Sequence, residues 1–225
     1  MEIFKNDWDK VLKTTLEGQF FRNVGEALAE EREKGVIIYP DKTDYFKAFK
    51  LTPYNKVRVV ILGQDPYVNG EADGLAFSVK NDPNIIKHPA ANKAILEEVE
   101  KDVYNGFKVE QDWNLERWAT QGVFLLNVLL SVQKGKPKSH YGIGWTWIIG
   151  EVIEALDKHP NPICFMLWGK LAKDFQSLIK NPKHLVLTSG HPVTKYYEED
   201  LWSDNKHFST CNKFLRQNGG EGIEW

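Results

Sequence analysis

The sequence predicts an α/β fold: a single domain, residues 1–225, in which a central, largely parallel four-stranded sheet is flanked by helices. Two observations lead to this prediction. Short apolar runs rich in β-branched residues have the composition of strands that are buried on both faces. Segments with helical periodicity separate these runs, and such alternation is typical of α/β domains with parallel sheets.

The predicted strands and helices follow from the hydrophobic periodicity. The strands are residues 57–62, 123–127, 162–168 and 184–188. The helices are residues 8–17, 20–34, 42–49, 91–103, 147–158, 171–179 and 207–217. Ligands of such sheets bind outside the carboxyl ends of the strands. The residues that follow each strand therefore form the candidate site.

The overall charge does not indicate a nucleic-acid partner. The 29 basic and 31 acidic residues give a net charge of −2, whereas phosphate binding favours a basic surface. Lys134, Lys136 and Lys138 form one short basic run, and Lys87 with His88 forms another. Composition alone favours the interpretation that both runs are solvated loops.

The cysteines and apolar runs favour a reducing, aqueous compartment. Cys164 and Cys211 are isolated and lack the spacing of a zinc site or a disulfide framework. The first residues lack the apolar core of a signal peptide, and no run has the length of a membrane span. We therefore expect a cytoplasmic protein, in the host-cell cytoplasm if it is viral, with no membrane partner.

Two polar residues stand at the ends of the first two predicted strands. Asp65 lies in the turn at 63–67, where a carboxylate could act as a general base or position a water, or could bond only the backbone of its own turn. Asn127 ends the second strand. Its amide offers an acceptor and two donors to the edge of a base, or it caps a turn.

Two ring side chains complete the candidate site. His191 follows the last predicted strand and is expected opposite Asp65 at the same sheet edge, although a lone histidine is more often structural. Phe77 lies a short loop beyond Asp65. It could stack on a flat ligand, or it could be an ordinary core aromatic.

Five motifs, in this order and spacing, resemble the family-1 uracil-DNA glycosylases. They are GQDPY at 63–67, GLAFSV at 74–79, FLLNVLLSV at 124–132, LWG at 167–169 and GHP at 190–192. One motif such as GHP would carry no weight, but five in order are highly specific. The resemblance covers nearly the whole chain.

The resemblance implies a DNA-repair enzyme that flips uracil out of DNA and hydrolyses the N-glycosidic bond. Such an enzyme releases free uracil and leaves an abasic site, with no lyase step, metal or cofactor. By this resemblance, Asp65 positions and activates the attacking water. His191 hydrogen-bonds the uracil oxygen that gains negative charge as the bond breaks.

The resemblance also implies which residues bind uracil: Gln64, Tyr67, Phe77 and Asn127. Tyr67 is implied to crowd the C5 position of the base and so to reject the methyl group of thymine. Phe77 is implied to stack on the flipped base, and Asn127 to bond its edge and reject cytosine.

Three loops are implied to contact DNA, through Pro89 and Ala91, through Gly169 and Lys170, and through Lys195 and Tyr196. The last loop departs from the family, which places a leucine wedge where this chain has lysine at position 195. A charge is costly between bases, so we expect Tyr196 or Tyr197 to serve as the wedge. The family's GQDPYH motif also ends differently, in Val68, which bears on the rate rather than on the type of reaction.

The implied partner is uracil-containing DNA, single- or double-stranded, with a proteinaceous glycosylase inhibitor as a further candidate and a monomer as the expected state. Three alternatives stay open: a DNA-binding subunit without catalysis, a glycosylase with another base preference, and an unrelated nucleotide-binding protein. The presence of Asp65, Asn127 and His191 together disfavours the first, and Tyr67 with Asn127 disfavours the second. No glycine-rich phosphate loop follows a predicted strand, which disfavours the third.

Overall fold

The computed structural model describes residues 2–109, 112–193 and 202–225. Its strands are β1 (Ile38–Tyr39), β2 (Val59–Gly63), β3 (Val123–Asn127), β4 (Val132–Gln133), β5 (Cys164–Trp168) and β6 (Leu185–Ser189). The central sheet is parallel, with the strand order β3-β2-β5-β6. The predicted fold class, an α/β fold around a four-stranded parallel sheet, is confirmed.

The strand bounds differ only slightly from those predicted. The prediction of residues 123–127 coincides with β3, whereas β2 begins at Val59 rather than at residue 57 and ends at Gly63. The antiparallel pair of β1 and β4 was not predicted. Each of these strands has two residues, which is too short for a period-2 pattern to be visible.

The helices are α1 (Trp8–Val11), α2 (Lys13–Leu16), α3 (Gln19–Glu33), α4 (Lys47–Leu51), α5 (Ala90–Val103), α6 (Glu116–Thr120), α7 (Trp145–Asp157), α8 (Lys170–Lys173) and α9 (His207–Gln217). Three predicted helices are divided. Residues 8–17 are interrupted at Leu12, and residues 42–49 and 171–179 each contain a 3₁₀ segment, Lys42–Asp44 and Asp174–Leu178. Over one or two turns, the 3₁₀ and α periods give similar apolar spacing, so the pattern could not separate them.

Aromatic contacts tie the N-terminal segment to the central sheet and the C-terminal segment to α9. Trp8 in α1 is fully buried and stacks on Phe124 of β3, with ring centroids 5.1 Å apart. At the other end, Trp225 packs edge-on against Phe208 of α9 at 5.0 Å. The strands β2, β3 and β5 are buried along their whole length, and their residues are apolar or glycine except for Asn127 at the end of β3.

Within the part of the chain that is described, no helix has both the length and the apolar character that a bilayer span requires. Cys164 in β5 and Cys211 in α9 are both free and buried. Burial, together with the neighbouring Cys211 thiol, raises the pKa of Cys164 well above its usual value. The Cys164 thiol therefore stays protonated, and both buried cysteines act as small apolar side chains.

Helix α9 supports the end of β5 through one buried hydrogen bond. The indole Nε1 of Trp168 donates to Nδ1 of His207 at 2.9 Å. Because Nδ1 is the acceptor, this bond needs the neutral imidazole. Burial lowers the pKa of His207 to about 4, against a weaker opposing effect of Asp102.

This histidine makes the stability of the protein depend on pH. An unfolded imidazole titrates near 6.5, above the native value, so acid protonates the unfolded state first. The stabilisation is complete above about pH 6.5 and is lost as the pH falls towards about 4. In urea titrations across this window, we expect His207→Gln to lose less unfolding free energy than the wild type, by roughly 1–3 kcal/mol.

Burial also lowers the pKa of His184, but this residue is present in both proteins and cancels in the comparison. Parallel losses of stability in the wild type and the variant would contradict the assignment of a buried, neutral His207.

Candidate active site

Asp65 lies two residues beyond β2 and is oriented by two donors. Its Oδ1 accepts a hydrogen bond from Nε2 of Gln64 at 2.9 Å, and its Oδ2 accepts one from the backbone N–H of Lys138 at 2.6 Å. The second donor is 73 positions away in the sequence. The carboxylate is therefore held by a different loop, rather than by the backbone of its own turn.

The same two loops are joined a second time. The backbone N–H of Gly135 donates to the carbonyl of Val68 at 2.9 Å. This bond uses only backbone atoms, so it does not depend on the side chain at position 68. Valine in place of the family's histidine therefore leaves the attachment between the loops intact.

Asn127 ends β3 directly opposite Gly63 of β2. A Cβ atom at position 63 would lie 2.4 Å from Oδ1 of Asn127 and 3.3 Å from a ring carbon of Phe77. Glycine is thus required for the amide to lie against the strand. The Asn127 side chain is buried and bonds no other side chain or backbone group of the described residues, so its donors and acceptor face the cavity.

Phe77 forms an aromatic wall beside Asn127 and has a left-handed backbone, with φ of 63°. Its carbonyl accepts hydrogen bonds from Nδ2 of Asn92 at 2.7 Å and from the hydroxyl of Tyr67 at 3.2 Å. The ring centroid lies 5.5 Å from that of Trp168. A left-handed backbone is unfavourable for phenylalanine and persists only where surrounding contacts hold it in place. The two hydrogen bonds to the carbonyl hold Phe77 in this conformation.

A buried carboxylate that the sequence did not identify organises the segment before Phe77. Asp73 is 3% exposed and accepts hydrogen bonds from the backbone of Leu75 and from the side chains of Ser78, Lys47 and Asn114. Four donors satisfy the buried charge. Asp73 therefore positions the loop and does not face the cavity.

His191 follows β6 and closes the opposite side of the site. The N–H of Val193 lies 3.4 Å from Nδ1 of His191, which fits a neutral ring with its proton on Nε2. Gly169 has φ of 82°, and a Cβ atom there would lie 3.1 Å from Cβ of His191. A side chain at position 169 would push these two loops apart.

The structure brings most of the predicted site residues to one cavity of about 350 Å³, within the range of small-molecule sites. The predicted residues that line it are Gln64, Asp65, Tyr67, Phe77, Pro89, Ala91, Asn127 and His191. The other lining residues include Pro66, Val68, Leu75, Pro137 and Val193. Burial raises the pKa of Tyr67 far above its usual value, so its hydroxyl stays protonated and keeps its bond to Phe77.

A second cavity, of about 530 Å³, adjoins the first and shares Gln64 and His191 with it. It contains the remaining described site residues, Gly169 and Lys170, together with Lys138 and Tyr141. The last two were not predicted as site residues. The basic run at 134–138 was the available signal, but charge alone could not distinguish a solvated loop from one bonded to Asp65.

The other basic run is also more ordered than its composition suggested. The ring of His88 stacks on Trp113, with centroids 3.9 Å apart and planes inclined by 3°. Trp113 in turn accepts a hydrogen bond from Asn92. The segment that carries Pro89 is therefore anchored to the same asparagine that holds Phe77.

Two of the predicted DNA contacts, Lys195 and Tyr196, lie outside the described residues, as does Tyr197. Across residues 2–109, 112–193 and 202–225, the histidine, cysteine and acidic side chains form no group of three or more that could hold a metal ion.

Residues 49–216 match the model of the uracil DNA glycosylase superfamily. A uracil-DNA glycosylase of Coxiella burnetii (strain Dugway 5J108-111) is 41% identical over 97% of this chain and 95% of its own length. One of Alkaliphilus metalliredigens (strain QYMF) is 38% identical over 100% of this chain and 96% of its own length. This chain belongs to the uracil DNA glycosylase superfamily.

Solved structures agree with this assignment. The crystal structure of mimivirus uracil-DNA glycosylase superimposes with a TM-score of 0.85 at 25% sequence identity. The match covers 97% of this chain and 86% of the mimivirus chain. A variant of the mimivirus protein in complex with UGI superimposes with a TM-score of 0.87 at 25% sequence identity. This match covers 99% of this chain and 89% of the mimivirus chain.

The contact between Gly63 and Asn127 predicts opposite effects for two glycine-to-alanine substitutions. Gly63→Ala inserts a methyl group into the occupied space and is expected to lower the unfolding free energy by about 1–3 kcal/mol. Gly25→Ala, within α3 and with no atom within 4 Å of the new Cβ, is expected to raise it by about 0.5–1 kcal/mol. Urea denaturation measures both, and stabilisation by Gly63→Ala would show that the close approach is absent.

Proposed function

We propose that this protein is a monofunctional uracil-DNA glycosylase, which flips uracil out of DNA and hydrolyses its N-glycosidic bond. Free uracil and an abasic site are the products. The observation that carries the proposal is the single cavity in which Phe77, Asn127, Asp65 and His191 meet. An aromatic wall, an available amide, a carboxylate and an imidazole are the groups that binding and releasing a flat, polar base would require.

Base recognition is assigned to Phe77 and Asn127. A base stacked inside a duplex cannot enter the cavity, so it must be extruded, at a cost of a few kcal/mol. Stacking on Phe77 offsets part of that cost. Cytosine would present the wrong donor and acceptor pattern to the Asn127 amide and would leave buried polar groups unpaired, which discriminates strongly.

Cleavage is assigned to Asp65 and His191. The bond between C1′ of the sugar and N1 of uracil breaks, and its electron pair leaves with the base. His191 donates a hydrogen bond to the uracil oxygen that becomes negative, which stabilises the leaving group. Asp65 faces the cationic sugar and accepts a proton from the water whose oxygen bonds to C1′.

The bonds from Gln64 and Lys138 support this role for Asp65. They occupy one lone pair on each carboxylate oxygen and leave others available to a water. A carboxylate held in this way needs little reorganisation during the reaction. All of these groups belong to this chain, so we expect uracil release to continue in EDTA.

The DNA contacts are assigned to the loops around the two cavities. Pro89 and Ala91 lie on one side of the uracil cavity, while Gly169 and Lys170 line the adjoining one. In this arrangement the loops grip the backbone on either side of the flipped nucleotide. We assign single- and double-stranded DNA as substrates, with Tyr196 or Tyr197 as the wedge.

Further partners and location belong to the same proposal. Two variants of the mimivirus protein have been solved in complex with UGI, and the likeness in fold supports a similar inhibitor as a partner here. We propose a monomer that acts in the cytoplasm, or in the host-cell cytoplasm if the protein is viral. The two free, buried cysteines are compatible with a reducing compartment.

The first test uses single-stranded oligonucleotides that contain one uracil, thymine or cytosine, with EDTA present and alkaline cleavage of abasic sites. We expect cleavage at uracil alone and a fall of about 10²–10⁴-fold in Asp65→Asn, the usual contribution of a positioned base. Asp204→Asn, an exposed carboxylate that lines neither cavity, should leave the rate unchanged. DNA binding without cleavage of any strand would instead identify a binding subunit.

A second test separates the two functions assigned to Tyr67. Tyr67→Ala removes the ring that blocks the thymine methyl group and should release thymine as well as uracil. Tyr67→Phe retains the ring and removes only the hydroxyl that donates to Phe77. It should still reject thymine, with a lower rate on uracil. Failure of Tyr67→Ala to release any thymine would contradict the steric role.

A further inference from the structure

The second cavity adjoins the cavity assigned to uracil. The two cavities share Gln64 and His191 as lining residues. One ligand can therefore extend from one cavity into the other. The volume of the second cavity is about 530 Å³, compared with about 350 Å³ for the uracil cavity. The assigned glycosylase chemistry takes place in the smaller cavity. Apart from the shared Gln64 and His191, only Gly169 and Lys170 of the second cavity are assigned a contact with DNA, through its backbone, and the part around Tyr141 is assigned none.

Tyr141 is an exposed aromatic side chain on an anchored backbone. Its side chain is 55% exposed, and its backbone N–H donates to the carbonyl of Lys138 at 3.0 Å. The preceding residue, His140, is fully buried, with Nδ1 2.8 Å from Oγ of Ser131 and Nε2 2.9 Å from a carboxylate oxygen of Glu31. The ring is thus presented to solvent from a rigid position.

The charges around Tyr141 fit a nucleotide. Lys138 and Lys170 are exposed and line the same cavity, and neither ammonium group pairs with a carboxylate of the described residues. They can neutralise phosphates at its rim. Leu171 adds apolar surface, and the carboxylate of Asp174 disfavours a phosphate in that part of the cavity.

We infer that the second cavity binds the base of a nucleotide adjacent to the flipped uridine in the same strand, and that Tyr141 is its stacking face. The inference rests on the proposed function, because it takes the flipped uridine as the reference point. An aromatic face accepts any base, so this subsite adds affinity for single strands without sequence preference.

The test uses single-stranded uracil oligonucleotides in which the nucleotide 5′ or 3′ of the uridine is either intact or a tetrahydrofuran abasic residue. On the intact strand, we expect Tyr141→Ala to lower kcat/KM about 5- to 50-fold, chiefly through a higher KM. Tyr141→Phe keeps the stacking face and should retain activity. Phe107→Ala, which removes a 76% exposed ring that lines neither cavity, should also change nothing.

The abasic strands identify the contact. If Tyr141 stacks on a base, the difference between the wild type and Tyr141→Ala disappears when the abasic residue is on one side and persists when it is on the other. An unchanged kcat/KM in Tyr141→Ala, or an equal loss on all strands, overturns the inference.

A wild type that releases no uracil would refute the proposed function separately. The subsite is then measured by fluorescence anisotropy on the same strands, with the same expected pattern of loss in Tyr141→Ala. Equal affinities of the wild type and Tyr141→Ala in that measurement would overturn the inference that Tyr141 stacks on a base.

Discussion

The candidate site depends on the parallel pairing of β2 and β3, which sets Gly63 opposite Asn127. The pairing continues beyond the strands, since the N–H groups of Val128 and Leu129 donate to the carbonyls of Gly63 and Gln64, both at 2.9 Å. These bonds fix the start of the loop that carries Asp65 relative to the amide of Asn127. A one-residue shift in register would turn the Asn127 side chain to the other face of the sheet.

The remaining parts of the site are held by bonds between loops that are distant in the sequence. The Lys138 N–H orients Asp65, while Asn92 and the Tyr67 hydroxyl hold the unfavourable backbone of Phe77. The acceptors of these three hydrogen bonds belong to Asp65 and Phe77, two residues that the proposed function uses. The residues proposed for recognition and cleavage therefore share one preorganised frame.

The sequence predicted what depends on local patterns and on side-chain chemistry. It predicted the sheet, with β3 at its observed bounds. It made Asp65 and Asn127 candidates because polar side chains at strand ends are conspicuous, whereas their roles came from the resemblance of the five motifs to a known family. It did not indicate Lys138 as a support for Asp65, because every residue except proline has a backbone N–H and only the fold decides which one faces the carboxylate. Asp73 and Asn92 were missed for the same reason, since their partners come from other segments.

The most direct test of the central claim is a crystal structure of Asp65→Asn bound to a single-stranded oligonucleotide that contains one uracil. We expect the base within the cavity of about 350 Å³, with its ring against Phe77, its edge on the Asn127 amide, and C1′ of its sugar facing residue 65. Uracil bound outside this cavity, or a uracil that is still stacked on the neighbouring bases, would contradict the proposed site.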